Sequence, residues 1–314
     1  MAETKFAFLC PGQGAQTPGM GADLCREFPV ARAVFDEADE ALGFSIRELC
    51  EEGPEETLTL TENAQPALLT MSAAIARILA TEAGLAPSIA AGHSLGEWSA
   101  LVACEVLPLR DAVRAVRQRG LFMREALAPG LGGMTALLGA DLPTVEAICA
   151  AASRGPESLV TPANLNGGGQ IVIAGHVEAL SRAETEAASR KVRASRLKVS
   201  QPFHSPLMEP ARERLEEVLA QLTFAKGVAP VVSNVSVEAV EQPEHWPGLL
   251  AAQVTAPVRW EECAGKVAAA APAAVEVGPG RVLAGLMRRI ERGYPVANTG
   301  DVKGVRARIE EQDQ

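Results

Sequence analysis

The chain has 314 residues, 47% of them hydrophobic, and a formal net charge of −10. That length and apolar content bury a sizeable core, in one large domain or a large one with a smaller companion. The acidic balance excludes nucleic acid as a general partner, and no apolar run long enough to span a bilayer is free of charges. Met1-Ala2-Glu3-Thr4-Lys5 lacks the basic and apolar regions of a signal peptide. Cys10, Cys25, Cys50, Cys104, Cys149 and Cys263 show no CxxC spacing and read as reduced thiols of a cytoplasmic protein.

Residues 5–10 read as a first strand, entering the glycine-rich turn Pro11-Gly12-Gln13-Gly14-Ala15-Gln16. Periodicity predicts a helix over 31–42 and a long apolar helix over 64–83, with Gln65-Pro66 marking its start. Residues 88–91 read as a buried strand and 98–106 as a packed helix. Between them stands Gly92-His93-Ser94-Leu95-Gly96, followed by Glu97. A further helix over 111–128 is ended by Pro129-Gly130. The middle of the chain then changes character. Strands over 134–138, 158–163, 170–174 and 192–199 and helices over 142–153 and 177–190 give a βαββαβ order around an Asn-Gly-rich loop. That order suggests a ferredoxin-like small subdomain, residues 130–200, inserted into a larger α/β domain, residues 1–129 and 201–314. Beyond it, 210–222 and 258–271 read as helices, 230–237 and 273–277 as strands, the last entering Gly278-Pro279-Gly280.

The Gly-x-Ser-x-Gly pentapeptide has the pattern of a nucleophile elbow. A serine on a sharp strand-to-helix turn leaves little room, so glycine on either side lets the chain bend and the helix approach. The serine would sit at a helix N-terminus, where unpaired N–H groups favour developing negative charge. A serine hydroxyl needs a base, and the chain has four histidines. His93 adjoins the serine and should point elsewhere; His176 is a helix-opening position; His245 lies in a surface-like Pro-Glu-His-Trp-Pro loop. His204, in the proline-stiffened Gln201-Pro202-Phe203-His204-Ser205-Pro206, is the remaining candidate, with a structural histidine satisfied by backbone as the alternative. No carboxylate between Ser94 and His204 announces itself as a triad acid, so a Ser–His dyad is equally consistent.

Arg119 is the second informative residue. On a helical wheel Ala112, Val113, Val116, Gly120, Met123, Ala126 and Leu127 form one face, and Arg110, Arg114, Arg117 and Arg124 a solvated opposite one. Arg119 falls at the edge of the apolar side. A buried guanidinium is costly unless paired, so it has either an internal carboxylate partner or a ligand that carries one.

Taken together, these motifs resemble the malonyl-CoA:acyl carrier protein transacylases and the related acyltransferase domains of polyketide synthases. The resemblance runs nearly end to end, through Pro11–Gln16, Gly92–Glu97, Gln118-Arg119-Gly120 with Met123, and Pro162-Ala163-Asn164-Leu165-Asn166. It continues through Ile173–His176, Phe203–Met208, Pro257-Val258-Arg259-Trp260 and Glu276–Gly280. It implies an α/β-hydrolase-like large domain with a parallel-rich sheet. It also implies that Ser94 is the acylated nucleophile and His204 its base. Gln253 would orient the imidazole by its carbonyl, and the N–H groups of Gln13 and Leu95 would form the oxyanion hole. Arg119 would bind the malonyl carboxylate, with His93 near the acyl group and Asn164 and Asn166 along the pantetheine route. Phenylalanine before the histidine goes with malonyl in the polyketide enzymes. Trp98 stands where tyrosine is frequent and Cys10 where an aromatic is usual, which suggests altered packing beside the site.

The substrates implied are malonyl-CoA and holo-acyl carrier protein, in fatty acid or polyketide synthesis, with no metal and no further cofactor. Because the carrier protein is acidic, docking needs a cationic patch. Arg190, Lys191, Arg193, Arg196 and Lys198 form one candidate, and Arg288 with Arg289 a second; a solvated basic face is the alternative. No heptad or interface stripe is visible, so a monomer is expected. A serine acyl hydrolase on the same scaffold is the competing activity, and a non-catalytic carrier-binding scaffold a third reading.

Overall fold

Two β-sheets organise the chain in a computed structural model that describes residues 5–312. Residues 1–4, on which the signal-peptide reading rests, lie outside them. The larger sheet contains β1 (Phe6–Cys10), β2 (Ile89–Gly92), β7 (Val231–Val232), β8 (Ala239–Val240), β9 (Ala273–Glu276) and β10 (Val296–Asn298). Its order is β10-β9-β1-β2-β7-β8, all parallel except the β7–β8 edge pair. Every residue of β1 and β2 is buried, as strands covered on both faces require. The two-residue alternation is visible in β1. Phe6, Phe8 and Cys10 enter one core, under the helices Pro29–Leu42, Thr61–Ala83 and Leu109–Glu125. Ala7 and Leu9 enter the opposite core, with the helices Trp260–Ala270 and Val282–Ile290.

The smaller sheet contains β3 (Gly132–Leu138), β4 (Val160–Gly167), β5 (Gln170–His176) and β6 (Arg193–Arg196), antiparallel throughout in the order β4-β5-β3-β6. The helices Leu142–Ala152 and Val177–Ser189 cover one face. The other face, with Met134, Ala136, Ala163, Val172 and Ala174, packs against Leu197, Val199 and Phe203. A parallel bridge between Asn164 and Val258 ties β4 to the helix-bearing segment beside the larger sheet.

Several elements depart from the sequence reading, each for a local reason. The long helix begins at Thr61, so Pro66 lies inside it rather than at its start. Proline has no N–H to give the carbonyl of Glu62 four residues back, and Arg117 Nη1 donates to that carbonyl at 2.7 Å instead. The arginines of the opposite face are exposed or half-buried, as expected, and also make local bonds: Arg114 Nε donates to Ala41 O at 2.8 Å, and Arg110 and Arg124 pair with Glu40 and Glu62. The Asn-Gly-rich loop is partly strand. β4 runs through Asn164, Leu165, Asn166 and Gly167, with register shifts between Pro162 and Asn164 and between Leu165 and Gly167. The strand expected over 230–237 ends after Val232, because Ser233 and Asn234 turn away, with Val237 N–H donating to Ser233 O at 3.0 Å. The helices Trp246–Thr255 and Val302–Gln312 and strand β10 were not foreseen. Among the described residues no helix is long and apolar enough to cross a membrane.

Candidate active site

Ser94 stands between the end of β2 and the helix Leu95–Ala103, at φ 53° and ψ −108°. This is a strained conformation for a non-glycine residue and costs about 1–3 kcal/mol. Its neighbours explain how it is held. A Cβ on Gly92 would lie 1.9 Å from Gly96 C and O, and one on Gly96 would lie 1.9 Å from Cys10 O. The turn is thus locked between β1 and its own helix. Cys10 and Trp98, the two departures noted in the sequence, are fully buried around it.

Ser94 Oγ–H donates to His204 Nε2 at 2.7 Å, and His204 Nδ1–H donates to the main-chain carbonyl of Gln253 at 2.8 Å. The second bond fixes the tautomer, leaving the Nε2 lone pair aimed at the hydroxyl. His204 also has a positive φ, of 59°. Burial, reinforced by the charge of Arg119, lowers its pKa to about 3, so the ring is neutral near pH 7 and ready to accept a proton. Among the described residues no carboxylate touches the imidazole; a backbone carbonyl stands where a triad acid would.

Arg119, 1% exposed, occupies the floor of the site. Its Nη1 donates to Gln65 Oε1 at 2.7 Å, and its Nη2 to Gln253 Oε1 at 2.9 Å and to Ser94 Oγ at 3.3 Å. Its Nε has no hydrogen-bond partner among the described residues. Burial draws its pKa down to about 10, so it remains a cation at neutral pH. Among the described residues no carboxylate contacts the guanidinium directly. Of the two alternatives read from the helical wheel, a ligand carboxylate fits better than an internal ion pair.

The remaining residues named from the sequence also converge here. Gln13, His93, Leu95, Asn164, Phe203, Met123 and Met134 line, with Ser94, Arg119 and His204, a chamber of about 130 Å³. Leu95 opens its helix, so its N–H has no intrahelical acceptor. His93 Nε2–H donates to Asn166 Oδ1 at 2.8 Å, and burial lowers the His93 pKa. Both asparagines lie on β4 where its register shifts, and they reach the elbow region, Asn164 in the chamber lining and Asn166 through His93. The chamber shares Gln13, Leu197, Val199 and Phe203 with a cleft of about 700 Å³ that also includes Thr61, Arg124 and Lys198.

The basic segment is less uniform than its sequence. Arg190 and Arg196 are compensated by Glu186 and Glu184, each at 2.7 Å. Lys191 and Arg193 are exposed, and among the described residues neither they nor Lys198 form an ion pair. In the second cationic candidate, Arg289 Nη2 donates to Gln170 Oε1 at 3.2 Å.

Three residues beneath the elbow carried no role in the sequence reading. Asn234 Oδ1 accepts from Ser94 N–H at 2.8 Å, and Asn234 Nδ2 donates to Gly92 O at 2.8 Å. Glu97, fully buried, accepts from Asn234 N–H at 2.8 Å and from Gln253 Nε2. Gln65 reaches Arg119 from the long helix. Glu97 was visible next to the elbow motif. Nothing in the local sequence of Asn234 or Gln65 distinguishes them, since long-range packing alone brings them in.

A buried serine–imidazole pair beside a guanidinium with no carboxylate in direct contact among the described residues suits acyl transfer of a group that bears a carboxylate, and comparison with known proteins agrees. The family model for the acyl transferase domain matches residues 7–302. The malonyl CoA-acyl carrier protein transacylase of Escherichia coli K12 is 44% identical over 290 residues, covering 91% of this chain and 93% of that protein. The enzyme of the same name from Bacillus subtilis strain 168 is 43% identical over 309 residues, covering 98% of this chain and 97% of that one. The solved malonyl CoA-acyl carrier protein transacylase of Coxiella burnetii superposes with a TM-score of 0.95 at 37% identity, over 99% of this chain and 98% of that one. A malonyl-transacylase solved in complex with its type II polyketide acyl-carrier protein superposes with a TM-score of 0.94 at 40% identity, over 98% and 100%. The chain belongs to the acyl transferase domain family.

Proposed function

We propose that this protein transfers the malonyl group of malonyl-CoA to the phosphopantetheine thiol of acyl carrier protein, through a malonyl ester on Ser94. The observation that carries this reading is the buried Arg119, 3.3 Å from Ser94 Oγ with its Nε unpartnered. A charge-assisted hydrogen bond from such a donor contributes about 1.5–3 kcal/mol, which favours a malonyl over an acetyl group. His204 Nε2 takes the Ser94 proton as Oγ attacks the thioester carbonyl. The N–H groups of Gln13 and Leu95 hold the oxyanion, and the imidazolium returns the proton to the departing CoA sulfur. The carrier thiol then gives its proton to His204, attacks the ester and regenerates Ser94 in the second half of a ping-pong cycle. Asn164 and Asn166 flank the pantetheine arm, and Asn166 holds His93.

The same reading divides the chain into an α/β-hydrolase-like body, residues 1–129 and 201–314, and a ferredoxin-like unit, residues 130–200. The antiparallel order β4-β5-β3-β6 with two helices on one face supports the second assignment. It takes the protein to act in the cytoplasm as a monomer, with no metal or further cofactor. The carrier docks over Lys191, Arg193 and Lys198, with Arg196 partly spent on Glu184. Charge reversal at Lys191 and Arg193 then raises the carrier-protein KM and leaves acylation by malonyl-CoA unchanged; an unchanged carrier KM would reject this patch.

The test is intact mass after brief incubation with malonyl-CoA, with acetyl-CoA in parallel. A malonyl adduct on the wild type, absent from Ser94→Ala and no longer preferred over acetyl in Arg119→Ala, is the expected result. Rapid CoA release without a lasting adduct, and no transfer to carrier protein, would indicate the acyl hydrolase.

A further inference from the structure

Arg119 has a countercharge, and it is placed one residue away. Gln253 lies between them: its Oε1 accepts from Arg119 Nη2 at 2.9 Å, and its Nε2 donates to the Glu97 carboxylate. The same Nε2 donates to Ser94 O at 3.0 Å, and the Gln253 main-chain carbonyl orients His204. The second Glu97 oxygen accepts from Asn234 N–H, and the Asn234 side chain holds Ser94 N–H and Gly92 O. One buried carboxylate therefore secures both residues that fix the backbone of the elbow and the orientation of the imidazole.

The charge count of this site changes when the acyl group arrives. With Glu97 ionised, Glu97 and Arg119 balance across the amide. A malonyl carboxylate on Arg119 brings a second negative charge into a region from which water is excluded, where like charges disfavour each other strongly. We propose that Glu97 is a positioning residue, holding Gln253 and Asn234 beneath Ser94, and that it takes up a proton from solvent when a carboxylate-bearing acyl group pairs with Arg119. The inference rests on the assignment of Arg119 to the malonyl carboxylate.

The surroundings of Glu97 support the proton uptake. Burial pushes its pKa up to about 7, against the opposing pull of the Asn234 N–H, the Gln253 amide, the Arg119 charge and the Ser233 hydroxyl. The titratable or charged groups that face it are Arg119, from the helix Leu109–Glu125, and Cys263, from the helix Trp260–Ala270. The Cys263 thiol is pushed up to about 12 by burial and stays neutral. Arg119 is then the one partner whose effective charge the substrate alters.

Calorimetric titration of the Ser94→Ala protein with malonyl-CoA and with acetyl-CoA, each in two buffers of different ionisation enthalpy, measures the protons exchanged without turnover. The CoA phosphates contribute equally to both ligands and cancel. Malonyl-CoA is expected to take up roughly half to one proton more than acetyl-CoA near neutral pH. Its Kd is expected to rise about tenfold across the pH interval in which Glu97 ionises, while that of acetyl-CoA stays flat. Adding Glu97→Gln removes both the extra proton and the pH dependence. Equal proton uptake for the two ligands, or extra uptake that persists in Glu97→Gln, would overturn the proposal. If Glu97→Gln does not fold, the malonyl-against-acetyl comparison on Ser94→Ala decides alone. Arg119→Ala in the same background tests the clamp separately: an unchanged malonyl-to-acetyl affinity ratio rejects that assignment, whatever the proton count.

Discussion

The two sheets support the site in opposite ways. On the larger sheet, β1, β2 and the helix after Ser94 press together so closely that two glycines have backbone where a Cβ would stand. On the smaller sheet, β4 carries register shifts; its Asn164 lines the small chamber beside Ser94 and its Asn166 holds His93. The first arrangement holds Ser94 in a strained conformation; the second is irregular and borders the chamber beside it. The Asn164–Val258 bridge ties the irregular strand to the segment that precedes the helix Trp260–Ala270.

That contrast is broken most severely by one methyl group. Gly96→Ala places its Cβ 1.9 Å from Cys10 O, where neither strand nor helix can retreat. Overpacking of this kind costs about 1–3 kcal/mol against side chains and more against backbone. The expected outcome is a large loss of thermal stability or failure to fold. Gly133→Ala in β3, whose nearest neighbour is a Leu180 methyl at 3.5 Å, is expected to melt within a few degrees of the wild type. Comparable melting temperatures for the two variants would remove the distinction between the sheets.

The same sterics explain what the sequence made legible. Gly92, Ser94 and Gly96 could be read from a pentapeptide because the turn permits few alternatives. His204 was reached by elimination among four histidines and Arg119 from its place on a helical wheel, since each leaves a mark in local sequence. The partners of those residues leave none. Gln65, Asn234 and the side chain of Gln253 reach the site from segments 29 residues before Ser94, and 140 and 159 residues after it. The helix carrying Gln253 was not foreseen. Resemblance to a family supplied Gln253 and its carbonyl on the His204 imidazole, but not that its side-chain amide holds Arg119 and Glu97. Among fold elements, the error at Pro66 was instructive. Proline reads as a helix start, yet here its missing bond is replaced by an arginine from another helix, a compensation invisible to local rules.

Two further substitutions sharpen the contrast on the side of the chemistry. His204→Ala removes the base and leaves the chamber wider. Acylation, followed by stopped incubation and intact mass, is expected to slow by about 10²–10⁴-fold, with little change in melting temperature. Asn234→Ala leaves Ser94 N–H and Gly92 O without partners in the buried elbow. Each such group costs about 1–3 kcal/mol, so both stability and acylation rate fall. Asn166→Ala, on the smaller sheet, removes the side-chain bond to the His93 ring, and about 0.5–1.5 kcal/mol is expected. Denaturant unfolding of the Asn234→Ala and Asn166→Ala variants side by side ranks them; a larger loss for Asn166 would place the rigid element on the wrong sheet.

In the wild type the response to pH is partly cancelled, and its sign separates the two groups beneath the elbow. His204 has its pKa lowered from 6.5 to about 3 in the fold. Between those values the unfolded chain binds a proton that the folded one refuses, so this group makes stability rise with pH and contributes fully only above 6.5. Glu97 has its pKa raised from 4.5 to about 7. There the folded chain binds the extra proton, so stability falls as pH climbs through that interval and the full cost is present above it. The two windows overlap between 4.5 and 6.5, where the slopes oppose each other. Relative to the wild type, Glu97→Gln should therefore gain stability with rising pH across the overlap, and His204→Ala should lose it. Unfolding free energies of the three proteins at several pH values in that window provide the test. Variant curves parallel to the wild type would mean that neither buried group changes its proton affinity on folding. The opposed slopes would instead show that the elbow is underlaid by one base kept neutral and one acid kept close to its titration point. That is the electrostatic setting a serine needs if its proton is to leave and return within each half-reaction.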